Sequence, residues 1–319
     1  MDAEIGRGRR EFIRADQGDA RVNTGPHGLH LQLAGLGDVG GALLTGLVLL
    51  GGGLIEQIGV YDPDQRRVAR YEYEMNQILP VSRSAPRVVA LEKEHLFDAC
   101  DGFLFAASAG VPPIGSGVKD VRMAQYEKNR SILRPYADLA VQKGYAGLFF
   151  QISDPVDRLC LTAAGAGFDA DRIIGCGLGV MLARANYCAR RRGIADFLAH
   201  GRVYGPHGNG LVVANDPGDG YDDALSRALT KEALAVNLAV RETGFKPYIA
   251  PGLSSGCITV LRALTGEWFD GAVHIDGTFF GCRARLAATG IEREALPEHP
   301  PLRRRIENTL HMLREWACE

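Results

Sequence analysis

The sequence predicts an α/β fold with a doubly wound parallel sheet in its N-terminal half and a mixed α+β half after it. In the first half, apolar strand-like runs at 29–34, 55–61, 102–107 and 146–152 alternate with helical patterns, which is typical of βαβ units. From about residue 153 the pattern mixes helices with short strands. We therefore expect a domain at 29–152 and a second domain at 153–319.

The segment before the first strand, residues 1–28, is charged and contains Thr-Gly-Pro-His-Gly, so we expect an N-terminal extension outside the core. The predicted elements of the second half are a helix at 155–165, a glycine-rich turn at 174–180, a helix at 181–192, a strand at 201–204, helices at 222–242 and around 252–264, strand signals at 271–280 and a helix at 300–316.

A glycine-rich turn joins the first strand to the first helix, with the sequence Gly35-Leu36-Gly37-Asp38-Val39-Gly40. In a dinucleotide-binding fingerprint the first glycine permits a tight turn, the second lets the backbone approach a pyrophosphate, and the third allows the helix to pack closely on the strand. The helix begins at Asp38 and Val39, and its first N–H groups are available to an anion.

The second strand ends at Asp62, 22 residues past Gly40. A carboxylate there accepts hydrogen bonds from the adenosine ribose and repels a 2′-phosphate, so NAD(H) is favoured over NADP(H). Arg66 and Arg67 follow closely and leave NADP(H) open. Strand, glycine turn, helix, second strand and terminal acid together predict a Rossmann domain.

Composition excludes several classes of protein. The 319 residues are 46% hydrophobic and carry a net charge of −2, which gives no footprint for nucleic acid or an anionic membrane. No apolar run approaches the ~18–20 residues that span a bilayer, so we expect no membrane partner and a cytoplasmic location. The seven cysteines have no CxxC or zinc-ligand spacing, so reduced thiols and no metal site are expected.

Five further motifs follow the glycine turn in a fixed order. They are Ala-Ser-Ala-Gly-Val-Pro at 107–112, Glu-Lys-Asn at 127–129, Gln-Ile-Ser-Asp-Pro-Val-Asp at 151–157, the segment 174–184 that ends in Met-Leu-Ala-Arg, and Tyr-Gly-Pro-His-Gly-Asn at 204–209. With the glycine turn, their order resembles the lactate/malate dehydrogenase family over about residues 29–316. The resemblance implies a substrate domain after the Rossmann domain, NAD as cofactor, a small-molecule 2-oxo or 2-hydroxy acid as substrate, and a homodimer or homotetramer.

The same resemblance implies roles for individual residues. Ala109, Gly110 and Ser153 would line the cofactor site. His207 would exchange a proton with the substrate, and Arg184 would hold its carboxylate through a bidentate fork.

Two further roles come from the helix that follows the loop at 107–112. Asn129 would help to position nicotinamide or substrate. Arg122 would be the loop arginine that polarises the substrate carbonyl. Lys119 is a rival for that role, because the loop is about three residues longer than is usual in the family.

Three positions depart from the family pattern. Met181 stands where an aspartate would support the histidine, Asp154 replaces an asparagine, and Asn209 replaces an acid. Asp154 could take over the support of His207, in which case its carboxylate lies roughly 2.6–3.2 Å from a ring nitrogen. Alternatively, its charge favours an imine or amine substrate, or catalysis has been lost and only NAD binding remains.

The loop sequence also bears on the substrate. Malate-selective members carry a second arginine after the Ala-Gly-Val-Pro turn, whereas Pro113 and Ile114 follow it here and Gly-Ser-Gly comes next. This predicts a neutral or apolar side group rather than malate, although the segment 248–252 resembles the malate-type version of the substrate helix.

Overall fold

The structure is a computed structural model that describes residues 28–80, 84–110 and 121–317, without the side chains of Val121, Arg122, Ala124 and Ala317. The predicted extension therefore lies outside the described residues, apart from Gly28. The first half consists of β1 (Leu29–Ala34), α1 (Asp38–Leu50), β2 (Ile55–Tyr61), α2 (Gln65–Met75), β3 (Arg87–Ala90), β4 (Gly102–Phe105), α3 (Val121–Gln142), β5 (Leu148–Gln151), α4 (Val156–Gly165) and β6 (Ile173–Gly175).

The second half continues the chain with more helix and shorter strands. It consists of α5 (Leu178–Arg191), α6 (Phe197–His200), β7 (Arg202–Tyr204), β8 (Val212–Ala214), α7 (Asp223–Glu242), a π-helical segment (Pro251–Ile258), α8 (Thr259–Thr265), β9 (Phe269–Ile275), β10 (Thr278–Ala287), β11 (Gly290–Arg293) and α9 (Pro300–Ala317). No helix among the described residues has both the length and the apolar character needed to cross a bilayer.

Nine strands of the described residues form one sheet in the order β11-β10-β9-β6-β5-β4-β1-β2-β3. The six strands from β6 to β3 are parallel, and β9 joins β6 in the antiparallel sense through Gly175 and Ala272. The direction of winding reverses between β1 and β4, which is the place where open α/β sheets bind ligands. The predicted Rossmann sheet followed by an α+β half is confirmed, while the division at 152/153 stays a prediction.

The central strands have continuous apolar sequences because both faces of the sheet are covered. Along β4, Leu104 belongs to the core on one face, while Phe103 and Phe105 belong to the core on the other. All three side chains are 0% exposed. A strand buried on both faces has no polar alternation, which is why these runs were recognisable in the sequence.

Three predicted elements are corrected. The strand signals at 271–280 belong to a hairpin, since β9 and β10 are joined by Asp276 and Gly277, which both have positive φ (+47° and +84°). The turn at 174–180 follows a short strand, because β6 pairs with β5. The helix at 252–264 begins as the π-helical segment and becomes α-helical only at Thr259.

Candidate active site

The glycine turn has the local geometry that a pyrophosphate requires. Gly35 has φ +97°, and a Cβ on Gly40 would lie 1.9 Å from the Gly35 carbonyl oxygen, so neither position accepts a side chain. A Cβ on Gly37 would meet nothing described within 4 Å, so the space in front of the turn is open. No side chain caps α1, and the N–H groups of Asp38 and Val39 therefore remain available for an anion.

Asp62 ties the end of β2 to the glycine turn. Its carboxylate accepts hydrogen bonds from the N–H groups of Leu36 (2.9 Å) and Asp64 (3.0 Å) and is 3.3 Å from Nη1 of Arg67. Only 6% of Asp62 is exposed. The predicted contact with ribose hydroxyls stays a prediction, and Arg67 is a neighbour that the sequence pattern did not pair with this acid.

Asn129 is a buried cross-link between two loops at the carboxyl edge of the sheet. Its Oδ1 accepts from the N–H of Ala109 (2.8 Å), and its Nδ2 donates to the carbonyl of Asp154 (2.6 Å) and to Oγ of Ser108 (3.2 Å). Gly110 completes the turn with φ +81° and donates its N–H to the same hydroxyl. Since Asn129 is 0% exposed, it can influence a ligand only by holding these backbones.

Ser153 fixes the other side of the loop between β5 and α4. Its hydroxyl donates to the carbonyl of Ala107 (2.6 Å), and its own carbonyl accepts from the amide of Gln151 (2.9 Å). The residue is 6% exposed, so the structure places it beneath the loop after β4. This arrangement fixes the backbone of Asp154, the next residue.

His207 and Asp154 are in direct contact. Nδ1 of His207 lies 3.0 Å from Oδ1 of Asp154, within the distance that the sequence predicted. The side chains are 16% and 42% exposed, so both are accessible to solvent. Gly205 (φ +87°) and Gly210 (φ +94°) flank the histidine loop, and Gly205 donates its N–H to Gly281 of β10.

Arg184, on α5, is a buried cation within electrostatic reach of Asp154. The residue is 9% exposed, and its one hydrogen bond to a described residue is to Sδ of Met181 (3.5 Å). Burial lowers the pKa of the guanidinium, and the charge of Asp154 opposes that shift. A buried cation with unused donors next to a carboxylate-bound histidine is suited to holding an anionic ligand.

Asp157 is a site residue to which the sequence analysis gave no role. It lies in the first turn of α4 and is 6% exposed. Burial raises the pKa of its carboxyl to about 7, and the charge of Asp154 adds to the shift, while the charge and main-chain N–H of His207 oppose it. The sequence signal that could have identified it was its position three residues after Asp154, at the start of a predicted helix.

Several predicted residues lie outside the described part or away from the site. Lys119, Pro113 and Ile114 lie outside the described residues, and Arg122 is the second residue of α3, with a side chain that is not described. Asn209 is exposed beyond the histidine.

The arrangement can bind and protonate a small polar ligand. It combines a glycine turn at an uncapped helix start, a buried arginine and a histidine whose Nδ1 contacts a carboxylate. The second ring nitrogen, Nε2, is then the one that can exchange a proton with a ligand.

Comparison with curated proteins finds L-lactate dehydrogenases. That of Corynebacterium jeikeium is 29% identical over 184 residues, which are 57% of this chain and 54% of the relative. That of Lactobacillus delbrueckii subsp. bulgaricus is 33% identical over 175 residues, 52% of this chain and 55% of the relative. The matched region thus spans about half the length of these relatives.

Among solved structures, the malate dehydrogenase of Archaeoglobus fulgidus in complex with NADH has a TM-score of 0.75 at 18% identity. The match covers 91% of this chain and 98% of that one, and at this identity it is a likeness of fold. No family model matches the chain.

Proposed function

We propose that this chain, a divergent member of the lactate/malate dehydrogenase family, is an NAD-dependent oxidoreductase that interconverts a 2-oxo acid and a 2-hydroxy acid. The observation that carries the proposal is the contact of His207 Nδ1 with Asp154 (3.0 Å), with the buried cation of Arg184 within electrostatic reach of that acid. The names of the curated relatives and of the solved structures support it.

The residues around the glycine turn fit NAD(H). The uncapped N-terminus of α1 and the open space before Gly37 would receive the pyrophosphate, and Asp62 would face the adenosine ribose. The cofactor would supply or accept the hydride at the second carbon of the substrate. Ala109 and Gly110, which follow β4, would border the cofactor across from the glycine turn that follows β1.

Arg184 would hold the substrate carboxylate. Its planar fork matches a carboxylate with two parallel hydrogen bonds, and its burial makes that interaction stronger than it would be in water. Met181 on the same helix accepts only a weak contact from Nη1 and leaves the other donors for a ligand.

His207 would transfer the proton. When Nδ1–H donates to Asp154, the protonated ring carries its second proton on Nε2, which faces away from the acid and can donate to the substrate oxygen in reduction. Asp154 stabilises this imidazolium by charge. We assign to it the role that the family pattern gives to an aspartate at the position of Met181.

The remaining parts of the proposal concern the lid, the substrate and assembly. Arg122 would polarise the substrate carbonyl. Pro113 and Ile114 favour a neutral or apolar side group over malate. We also propose a homodimer or homotetramer, which is consistent with highly exposed apolar side chains such as Leu79 (88%) and Phe245 (75%).

A panel assay tests the proposal. NADH binding is measured first by fluorescence titration, and 2-oxo acids with apolar and charged side groups are then added with and without ammonium, while NADH absorbance is followed. We expect NADH consumption with a 2-oxo acid alone. Consumption only with ammonium would instead indicate an imine reductase, and binding without any turnover would indicate a non-catalytic NAD-binding protein.

A further inference from the structure

The carboxylate of Asp62, just after β2, already has its hydrogen-bonding capacity in use. Its Oδ2 accepts from the N–H of Leu36 (2.9 Å), its Oδ1 accepts from the N–H of Asp64 (3.0 Å), and Nη1 of Arg67 lies 3.3 Å from both oxygens. A carboxylate has about four acceptor positions, which these four contacts match in number. Only 8% of the Asp62 side chain is exposed. A ribose hydroxyl therefore binds Asp62 in place of one of these donors.

Arg67 is the donor that can be exchanged. Leu36 donates from the main chain of the glycine turn and is 2% exposed, and Asp64 donates from the main chain at the N-cap of α2. Moving either would disturb the turn or the helix start. Arg67 instead reaches Asp62 through a long side chain that is 44% exposed, so its guanidinium can turn to solvent while the backbone stays in place.

The contact between Arg67 and Asp62 is weak for an ion pair. A single nitrogen serves both oxygens at 3.3 Å, so the pair is not the fork of two parallel hydrogen bonds that makes arginine–carboxylate pairs strong. Half of the guanidinium side is also open to water, and such pairs contribute little. Ribose hydroxyls form shorter hydrogen bonds to a carboxylate and can replace Arg67 there.

We propose that Arg67 sets how strictly this chain distinguishes NAD(H) from NADP(H), on the premise that the glycine turn binds a dinucleotide as proposed above. With NAD(H), Asp62 accepts from the ribose hydroxyls and Arg67 turns to solvent. With NADP(H), the displaced Arg67 pairs with the 2′-phosphate, which Asp62 alone would repel. Arg67 thus makes the preference for NADH narrower than the acid by itself would make it.

The neighbouring arginines of α2 are placed differently. Arg66 has a side chain that is 93% exposed, and its Nε lies 3.5 Å from the cap residue Asp64. Arg70 is one turn further along the helix and pairs with Glu74 at 2.8 Å. Neither donates to the four acceptor positions described above. Both therefore serve as controls for a change of charge on the same helix.

The test is a fluorescence titration of the full chain with NADH and with NADPH at one pH and one ionic strength. The two cofactors carry the same fluorescent reduced nicotinamide, so one readout gives both dissociation constants. Arg67→Met keeps the apolar stem and removes the charge and the donors. We expect the ratio of the dissociation constants, NADPH over NADH, to rise about tenfold or more, because NADPH loses charge-assisted hydrogen bonds and NADH loses only a competitor. An unchanged ratio, or an equal loss of affinity for both cofactors, would overturn the proposal.

Three further variants decide whether the effect belongs to the charge of Arg67. Arg70→Met and Arg66→Met remove the same charge from the same helix and should leave the ratio nearly unchanged. A rise in either as large as in Arg67→Met would contradict the assignment. Arg67→Lys keeps a positive charge that can meet a phosphate, so its ratio should lie closer to that of the wild type than to that of Arg67→Met. A ratio equal to that of Arg67→Met would also contradict the proposal.

This proposal and the proposed reaction fail separately. The titration needs no substrate, so it decides the role of Arg67 even if no 2-oxo acid is reduced and the proposed reaction is wrong. If the wild type binds neither cofactor, the dinucleotide site itself is refuted, and the role of Arg67 with it.

Discussion

Replacing Asp154 by asparagine removes the charge nearest to His207 and keeps the size of the side chain. A carboxylate within about 4–6 Å of a base typically moves its protonation by 1–3 pH units. The contact here is 3.0 Å, but the Asp154 side chain is 42% exposed, and solvent screens the charge. We therefore expect the lower end, about one pH unit or about 1.4 kcal/mol.

The sign follows from the direction of reaction. Reduction needs the protonated ring of His207, and without Asp154 this ring loses its proton at lower pH. The alkaline limb of the pH profile of kcat/KM for reduction therefore moves to lower pH by about one unit. The assay is the pH profile of NADH consumption in wild type, Asp154→Asn and a control, Asp171→Asn, which removes a surface carboxylate 3.4 Å from Nδ1 of His274. An unmoved limb, or an equal shift in the control, would refute this account of the contact.

Met181→Asp in the Asp154→Asn background tests whether the two positions are equivalent. Met181 is 1% exposed and contacts Arg184, so the new carboxylate is placed beside a cation. We expect the alkaline limb of the pH profile of reductive turnover to move back to higher pH. If thermal unfolding shows that the double variant does not fold, the single variant still decides the role of Asp154.

Three further results are expected. Arg184→Lys should lower kcat/KM for the 2-oxo acid on the order of tenfold to a thousandfold, because a point charge replaces the planar guanidinium, while NADH affinity stays nearly unchanged. Unaltered kinetics would show that Arg184 does not bind the substrate. NADH should bind more tightly than NADPH in a fluorescence titration because Asp62 repels the 2′-phosphate, and equal affinities would contradict this. Burial raises the pKa of Asp270 to about 6, so the folded protein binds this proton more tightly than the unfolded chain, and its free energy of unfolding falls as pH rises from about 4 to 6. Asp270→Asn should reduce that loss by up to about 3 kcal/mol, measured by urea unfolding. An equal loss in both proteins would refute this prediction.

Local patterns predicted the central sheet well. The bounds of β1 and β2 agree with the apolar runs at 29–34 and 55–61, because strands buried on both faces need apolar residues throughout. The glycine turn was also recognisable, since Gly35 adopts a φ of +97° and no side chain fits at Gly40. Each of these requirements acts within a few residues.

Strands at the edges were missed. β3 is partly exposed, and β11 has no buried residue, so neither needs a continuous apolar run. The three residues of β6 are strand only because β5 lies beside them. The Asp276–Gly277 turn was a sequence signal for a hairpin, and the apolar residues on either side concealed it.

The residue types of the site were fixed by the sequence, and their partners by the tertiary structure. The loss of an acid at Met181 and its gain at Asp154 predicted the contact with His207, because the two segments were expected to converge. Nothing local could tell that Asp157 is buried, or that Arg67 turns back onto Asp62. Burial and charge pairing depend on segments that lie far apart in the chain, and only packing of α4, α5 and the histidine loop brings those segments together.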